Sequence, residues 1–161
     1  MRTTGRPKST WLDRLLTLLG LLALLCTTLY VVFRWGTLPA EVPTHFNAAG
    51  EINATGGKAS LLAPLVIGWV LYGLLSLIGA IPAVWNTGVE VTPENREAVL
   101  QIIKTMLSFL KTELALWFSY LVLCSARCRP IGILATPFFL ILVFGTIIVT
   151  MVQIFRTAHK K

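Results

Sequence analysis

The feature that most constrains this chain is a set of long stretches without a charged side chain. Residues 15–33 carry no charge, and none occurs between Lys58 and Glu90 or between Arg129 and Arg156. A helix needs roughly 20 apolar residues to cross the hydrocarbon core of a bilayer. Each stretch is therefore long enough to form a transmembrane helix.

A fourth segment, residues 105–126, is weaker because it contains Lys111 and Glu113. Only 13% of all residues are charged and 55% are hydrophobic, whereas soluble domains carry roughly 25% charged residues. We therefore predict an all-α membrane protein, with a tail at 1–10 and a single domain at 11–161. The four spans are predicted at about 12–34, 61–85, 105–126 and 131–155.

The basic residues are divided unequally between the two ends of these spans. With Lys111 set aside inside the third span, nine of the 14 basic residues fall on the side of the termini. They are Arg2, Arg6, Lys8, Arg14, Arg96, Lys104, Arg156, Lys160 and Lys161. The other side carries Arg34, Lys58, Arg127 and Arg129. An excess of Lys and Arg marks the cytoplasmic face, which predicts that both termini are inside. The net charge of +7 then indicates contact with lipid and no nucleic-acid partner.

Two patterns predict how the helices pack. Gly68, Gly73 and Gly79 in the second span would allow close helix approach and predict that this span lies at the bundle centre. In the segment ahead of the third span, polar and apolar residues each recur with the period of a helix. This pattern predicts an amphipathic helix that continues into the span. That polar face could dock a cytoplasmic protein or lie on lipid, and the sequence leaves both open.

The loop at 34–60, between the first two spans, is the one patterned polar segment. From Leu38 to Lys58 it reads L-P-x-x-V-P-T-H-F-N-x-x-G, then five residues, then G-G-K. Asn and Gly are typical of turns because both tolerate positive φ. The loop is therefore expected to be ordered, either as a cap over the outer end of the bundle or as a contact site for a ligand or peptide. The candidate residues are Pro43, His45, Phe46, Asn47, Gly50 and Lys58.

Lys111 and Glu113 are the candidate intramembrane polar residues, since charges inside a membrane are costly and often functional. Helical side chains tilt towards the N-terminus of their helix, so we expect Lys111 to reach the cytoplasmic interface. Glu113 lies deeper and needs a partner from another helix, for which Arg14 is the hypothesis.

We find no catalytic constellation and no metal-ligand spacing, so we expect no enzyme activity, no metal and no cofactor. A lone His45 with Glu41 and Glu51 nearby is a poor metal site. Cys124 and Cys128 could form a disulfide or serve as small apolar side chains in the bundle.

The loop pattern between two spans resembles a prokaryotic membrane domain of unknown function that forms the amino-terminal part of SdpI-type proteins. These are immunity proteins against the sporulation-delaying peptide toxin. The resemblance covers roughly residues 22–65, and Thr92-Pro93-Glu94-Asn95 is similar to the segment after the second span in such proteins. It implies a multi-pass plasma-membrane protein of a prokaryote, toxin immunity, and sequestration of a repressor. SdpI-type proteins carry additional spans with a second domain, whereas this sequence has four spans.

The expected function is recognition, as immunity or sensing, of a membrane-active peptide or lipid at the outer face. The expected partners are the lipid bilayer, a peptide toxin or another membrane protein, and a cytoplasmic regulator. The alternatives are a structural or accessory subunit of a membrane complex and a small transporter component.

Overall fold

The computed structural model describes residues 7–159, in which four helices flank a two-stranded antiparallel sheet. The elements are α1 (Trp11–Arg34), β1 (Glu41–Phe46), β2 (Ile52–Gly57), α2 (Leu62–Ala80), α3 (Arg96–Ala126) and α4 (Ala135–Ala158). Most of the predicted tail at 1–10 lies outside the described residues. The same holds for four basic residues of the charge count, Arg2, Arg6, Lys160 and Lys161.

All four helices are long and apolar enough to cross a membrane. α1 and α4 have 24 residues each, α2 has 19 and α3 has 31. At a rise of about 1.5 Å per residue, even α2 approaches the ~30 Å thickness of a hydrocarbon core. The predicted four-helix architecture with an ordered loop is confirmed, and the chain is a multi-pass membrane protein.

α2 ends at Ala80, ahead of the predicted limit at residue 85. The next residue, Ile81, has φ −122° and ψ 78° and precedes Pro82. A proline ring disfavours the helical conformation in the residue before it, so the helix stops there. A single 3₁₀ turn, Pro82–Val84, then leads into the loop before α3.

The helix at the centre of the bundle is α3, and the expectation that α2 would lie there is wrong. α3 packs against α1, α2 and α4, whereas α2 and α4 make no substantial contact with each other. A Cβ atom at Gly68 would lie 3.0 Å from side-chain atoms of Leu24 and Phe118, but Gly73 and Gly79 face open space. Only one of the three glycines therefore serves a close helix approach.

The polar face of α3 explains its central position. Gln101 and Thr105 donate to the carboxylate of Asp13 on α1, at 3.1 and 2.8 Å, and Thr112 donates to the carbonyl of Leu16 at 2.8 Å. Polar side chains in a membrane are stabilised by bonds to a neighbouring helix. The part of this face from Gln101 to Thr112 therefore turns towards α1, whereas Glu97 in the first turn of α3 is exposed.

Asp13 also fixes the start of α1. The Thr10 hydroxyl accepts from the backbone N–H of Asp13 at 3.1 Å, and the Asp13 carboxylate accepts from the backbone N–H of Thr10 at 2.8 Å. This reciprocal capping box satisfies N–H groups that the first turn of a helix leaves without partners. The same carboxylate thus caps α1 and joins it to α3.

The β1–β2 hairpin covers the end of the bundle where α1 ends and α2 begins. Val42 of β1 is fully buried in an apolar cluster with residues from α1, α3 and the start of α2. The other buried members are Val31, Leu38, Leu61, Leu65, Val122 and Ala126. The hairpin is therefore packed onto the helices, and its orientation relative to them is fixed by this cluster.

Candidate functional site

The tip of the hairpin is organised by Asn47. Its side-chain oxygen accepts from the backbone N–H groups of Ala49 and Glu51, each at 2.9 Å, and its side-chain nitrogen donates to the Glu51 carboxylate at 3.0 Å. An Asn side chain that bonds to the backbone two residues ahead mimics a turn. Asn47 is thus used in building the loop.

Gly50 completes this turn and docks it on the α3–α4 connection. It has φ +76°, a left-handed conformation that glycine adopts without steric cost. Its carbonyl accepts from the Ile131 N–H at 3.0 Å. A Cβ atom at this position would lie only 2.4 Å from the carbonyl oxygen of Gly132. The absence of a side chain at Gly50 is therefore required for the contact.

Lys58 lies at the other end of the hairpin and is also engaged. Its ammonium group donates to the carbonyl of Trp35 at 3.0 Å and lies 5.3 Å from the centre of the Trp35 ring. A cation over an indole face is attracted by the ring quadrupole. Lys58 therefore ties the end of β2 to the residue that follows α1.

His45 is the exposed candidate on β1. Its Nδ1 lies 2.6 Å from the side-chain oxygen of Asn53 on β2. Because that oxygen only accepts, the pair is satisfied when Nδ1 carries the proton. This arrangement leaves Nε2 as the ring atom available to a ligand.

A groove of about 570 Å³ lies beside β1, between α2 and the α3–α4 region. We call it the hairpin groove. Three of the predicted candidates, Pro43, His45 and Phe46, line it on the hairpin side. The helices contribute Pro64, Ile67, Trp117, Leu121, Ser125 and Thr136. The structure thus separates the six loop candidates into three that line a groove and three that fix the loop.

The helix side of the hairpin groove was missed by the sequence interpretation. Trp117 lies in the middle of α3 and stacks on Phe139 of α4, with ring centres 4.5 Å apart and planes 7° from parallel. Aromatic residues at mid-helix are common lipid-facing or packing residues, so nothing in the sequence distinguishes this one. The groove exists because α2 and α4 both pack on α3 and leave space between them.

Lys111 lies in a pocket that also contains Ser9, Arg14 and Lys104, near the end of the bundle where α1 begins. That this end is the cytoplasmic interface stays a prediction. The Lys111 side chain is 8% exposed and lines this pocket between α1, α2 and α3. The ammonium group lies 5.5 Å from the ring centre of Tyr72. The tilt towards the start of α3 is as predicted, but neighbouring helices enclose the end of the side chain.

Glu113 faces α4, and the structure contradicts the hypothesis of a pair with Arg14. The Thr146 hydroxyl donates to one Glu113 carboxylate oxygen at 2.6 Å. The other oxygen is buried and has no partner within the described residues. Arg14 instead lines the pocket that contains Lys111. Thr146 is a polar residue in a charge-free span, which is the signal by which sequence reasoning could have found it.

The three cysteines are free thiols. Cys128 has φ +49° in the turn after α3, and its thiol lies 3.7 Å from the carbonyl oxygen of Glu41 on β1. It therefore contributes to the contact between the hairpin and α3 and is not joined to Cys124.

Residues 22–68 match the family described as Domain of unknown function (DUF1648). The matched segment contains the larger part of α1, the hairpin and the first turns of α2, and it excludes α3, α4 and Thr92–Asn95. The predicted resemblance to a membrane domain of unknown function is confirmed over this segment. No curated protein and no solved structure matches the chain. The chain is thus a multi-pass membrane protein that carries this domain.

Proposed function

We propose that this protein recognises a membrane-active peptide at the outer face of a prokaryotic plasma membrane. The observation that carries the proposal is the hairpin groove. Its upper wall is formed by Thr44, His45 and Phe46, and its lower wall by apolar residues of the helices, including Ile67 and Trp117. A peptide that inserts into the outer leaflet carries both polar and apolar groups, and such a groove complements them.

The groove is accessible from the lipid because α2 and α4 do not close over it. A peptide already dissolved in the outer leaflet could therefore enter sideways between these helices. The upper wall is held by the Gly50–Ile131 and His45–Asn53 hydrogen bonds. A surface that is ordered before binding loses less conformational entropy on binding, which favours recognition by this hairpin.

The resemblance to SdpI-type proteins supports a peptide as the occupant, and the matched domain contains the hairpin. We propose on this basis an immunity or sensing role, with both termini in the cytoplasm and no enzyme activity. A cytoplasmic regulator would need a surface other than Gln101 and Thr105 of α3, which contact α1. The excess of basic residues at the end of the bundle with the termini supports the proposed orientation.

The alternative function is that of a structural or accessory subunit. The contact between Gly50 and the α3–α4 turn favours it, because the hairpin then serves to cap the bundle. For a small transporter component, the observation that would support it is the pair of the Glu113 carboxylate with the Thr146 hydroxyl between α3 and α4.

Survival of cells that express the protein and are exposed to the sporulation-delaying peptide tests the proposal. We expect His45→Ala and Phe46→Ala each to lower the highest peptide concentration that the cells survive by roughly tenfold, since interface residues that anchor a partner are worth a few kcal/mol. The matched control is Asn53→Ala. It removes the same His45–Asn53 hydrogen bond but leaves the imidazole in the groove.

Equal protection by the wild type and both groove variants, at equal membrane levels, would eliminate peptide recognition at this site. Loss of protection in Asn53→Ala together with His45→Ala would assign the effect to hairpin integrity and favour the capping function. If the protein protects cells against a lipid-disrupting agent but not against the peptide, the occupant of the groove is lipid.

A further inference from the structure

A second cavity lies at the opposite end of the bundle, between α1, α2 and α3. It has a volume of about 450 Å³, and we call it the inner pocket. Its charged lining residues are Arg14, Lys104, Lys111 and Asp13, and Ser76 and Ser108 contribute hydroxyl groups. Three cations and one carboxylate leave an excess of positive charge in a pocket that is partly enclosed by helices.

The carboxylate of Asp13 is already satisfied by other groups. It accepts from the backbone N–H of Thr10 and from the side chains of Gln101 and Thr105, and the side chain is 2% exposed. These donors hold the carboxylate on the side of α1 that faces α3. Asp13 therefore lowers the local positive charge without occupying the hydrogen-bond donors of the pocket.

Two donors of the inner pocket lack a hydrogen-bond acceptor in the described part of the chain. Lys111 is 8% exposed, and the neighbour of its ammonium group there is the Tyr72 ring, at 5.5 Å. The Ser76 hydroxyl is buried and has no partner within residues 7–159. Hydrogen-bond donors that lack an acceptor in a largely enclosed site are unfavourable, and an anion with several acceptor oxygens in the pocket would satisfy both.

The remaining walls are apolar and continue into the membrane. Leu18 and Leu21 of α1 face Leu75 and Gly79 of α2 across the pocket. α1 and α2 make far less contact with each other than either makes with α3, and Leu18 beside the pocket is exposed on the outside of the bundle. The crevice between them is therefore open at the level of Leu18, whereas further along the Tyr72 hydroxyl donates to the Thr17 carbonyl at 2.7 Å and joins the two helices. A ligand with a phosphate group at one end and acyl chains at the other fits this combination.

We propose that the inner pocket binds the headgroup of an anionic phospholipid from the inner leaflet. Lys111 and Ser76 donate to its phosphate oxygens, Arg14 contacts it from the exposed rim, and the acyl chains lie in the crevice between α1 and α2. This site is separate from the hairpin groove and does not depend on peptide recognition.

The test is native mass spectrometry of the full chain in detergent, titrated with phosphatidylglycerol or with phosphatidylcholine. We expect wild type to retain phosphatidylglycerol preferentially. Arg14→Gln should weaken this binding about fivefold, as expected for one basic residue beside an anionic lipid. Lys111→Gln should weaken it about tenfold, because it removes a charged hydrogen-bond donor from a buried site.

Arg156→Gln is the matched control, since it removes one positive charge from α4 and does not line the inner pocket. Equal weakening by Arg156→Gln and Arg14→Gln, or equal retention of both lipids by wild type, would overturn the proposal.

A parallel titration with inorganic phosphate distinguishes the source of the anion. Displacement of the lipid by phosphate alone, at equal concentration, would also overturn it. Arg14 is exposed, so its variant remains informative even where Lys111→Gln fails to fold.

Discussion

At the residue scale, Gly50 is the position where the hairpin tolerates no side chain. Gly50→Ala would place a Cβ 2.4 Å from the Gly132 carbonyl oxygen at a φ of +76°. We expect a loss of about 1–3 kcal/mol in the free energy of unfolding in detergent, the usual cost of a strained backbone residue. Gly57→Ala is the control because nothing lies within 4 Å of its added Cβ. Equal stability of the two variants would show that the turn does not dock on Gly132.

Also at the residue scale, Glu113 and Thr146 form a pair that can be separated by mutation. Thr146→Val removes the donor to Glu113 and leaves both carboxylate oxygens without a partner among the described residues. We expect it to destabilise the protein by about 1–3 kcal/mol, the cost of an unsatisfied buried polar group. Glu113→Gln keeps an acceptor for the hydroxyl and removes a charge from apolar surroundings, so its stability should be equal or higher.

Chemical denaturation of both single variants and the double variant in detergent measures this pair. The coupling predicts that Thr146→Val costs clearly less in the Glu113→Gln background than in wild type. Additive effects would mean that the 2.6 Å contact contributes nothing to stability.

At the scale of the elements, the joint between α1 and α3 depends on Asp13. Asp13→Ala removes the acceptor for the Thr10 backbone N–H and for the side chains of Gln101 and Thr105. We expect a loss of about 2–3 kcal/mol, from one capping-box bond worth about 1 kcal/mol and two interhelical bonds worth about 1 kcal/mol each. Glu97→Ala, which removes an exposed acid from the first turn of the same α3, should cost far less. Similar losses in the two variants, measured by thermal unfolding, would contradict this role.

The elements also show how far the sequence could predict the structure. Charge-free stretches predicted the four helices, because lipid imposes a simple requirement on length and polarity. Asn47 and Gly50 predicted an ordered turn from local backbone chemistry. The central position of α3 was missed because helix glycines were weighted above polar side chains, and Gln101 and Thr105 proved to face α1. The partners of Lys111 and Glu113 were missed because they come from helices distant in sequence.

At the scale of the whole molecule, the two proposed sites lie at opposite ends of the bundle. The hairpin groove is built by β1 and the hairpin ends of α2 and α3, and the inner pocket is built by the opposite ends of α1, α2 and α3. Both proposals therefore depend on which end of the bundle faces the cytoplasm. The excess of Lys and Arg at the end with the termini predicts that this end is inside and that the hairpin is outside.

The most direct test is thiol labelling of single-cysteine variants in intact bacterial cells. In a background without Cys26, Cys124 and Cys128, the exposed residues Ala48 and Glu90 are each replaced by cysteine. A membrane-impermeant maleimide should label Ala48→Cys in intact cells and Glu90→Cys only after permeabilisation. Labelling of Glu90→Cys but not Ala48→Cys in intact cells would place the hairpin in the cytoplasm and contradict peptide recognition at the outer face.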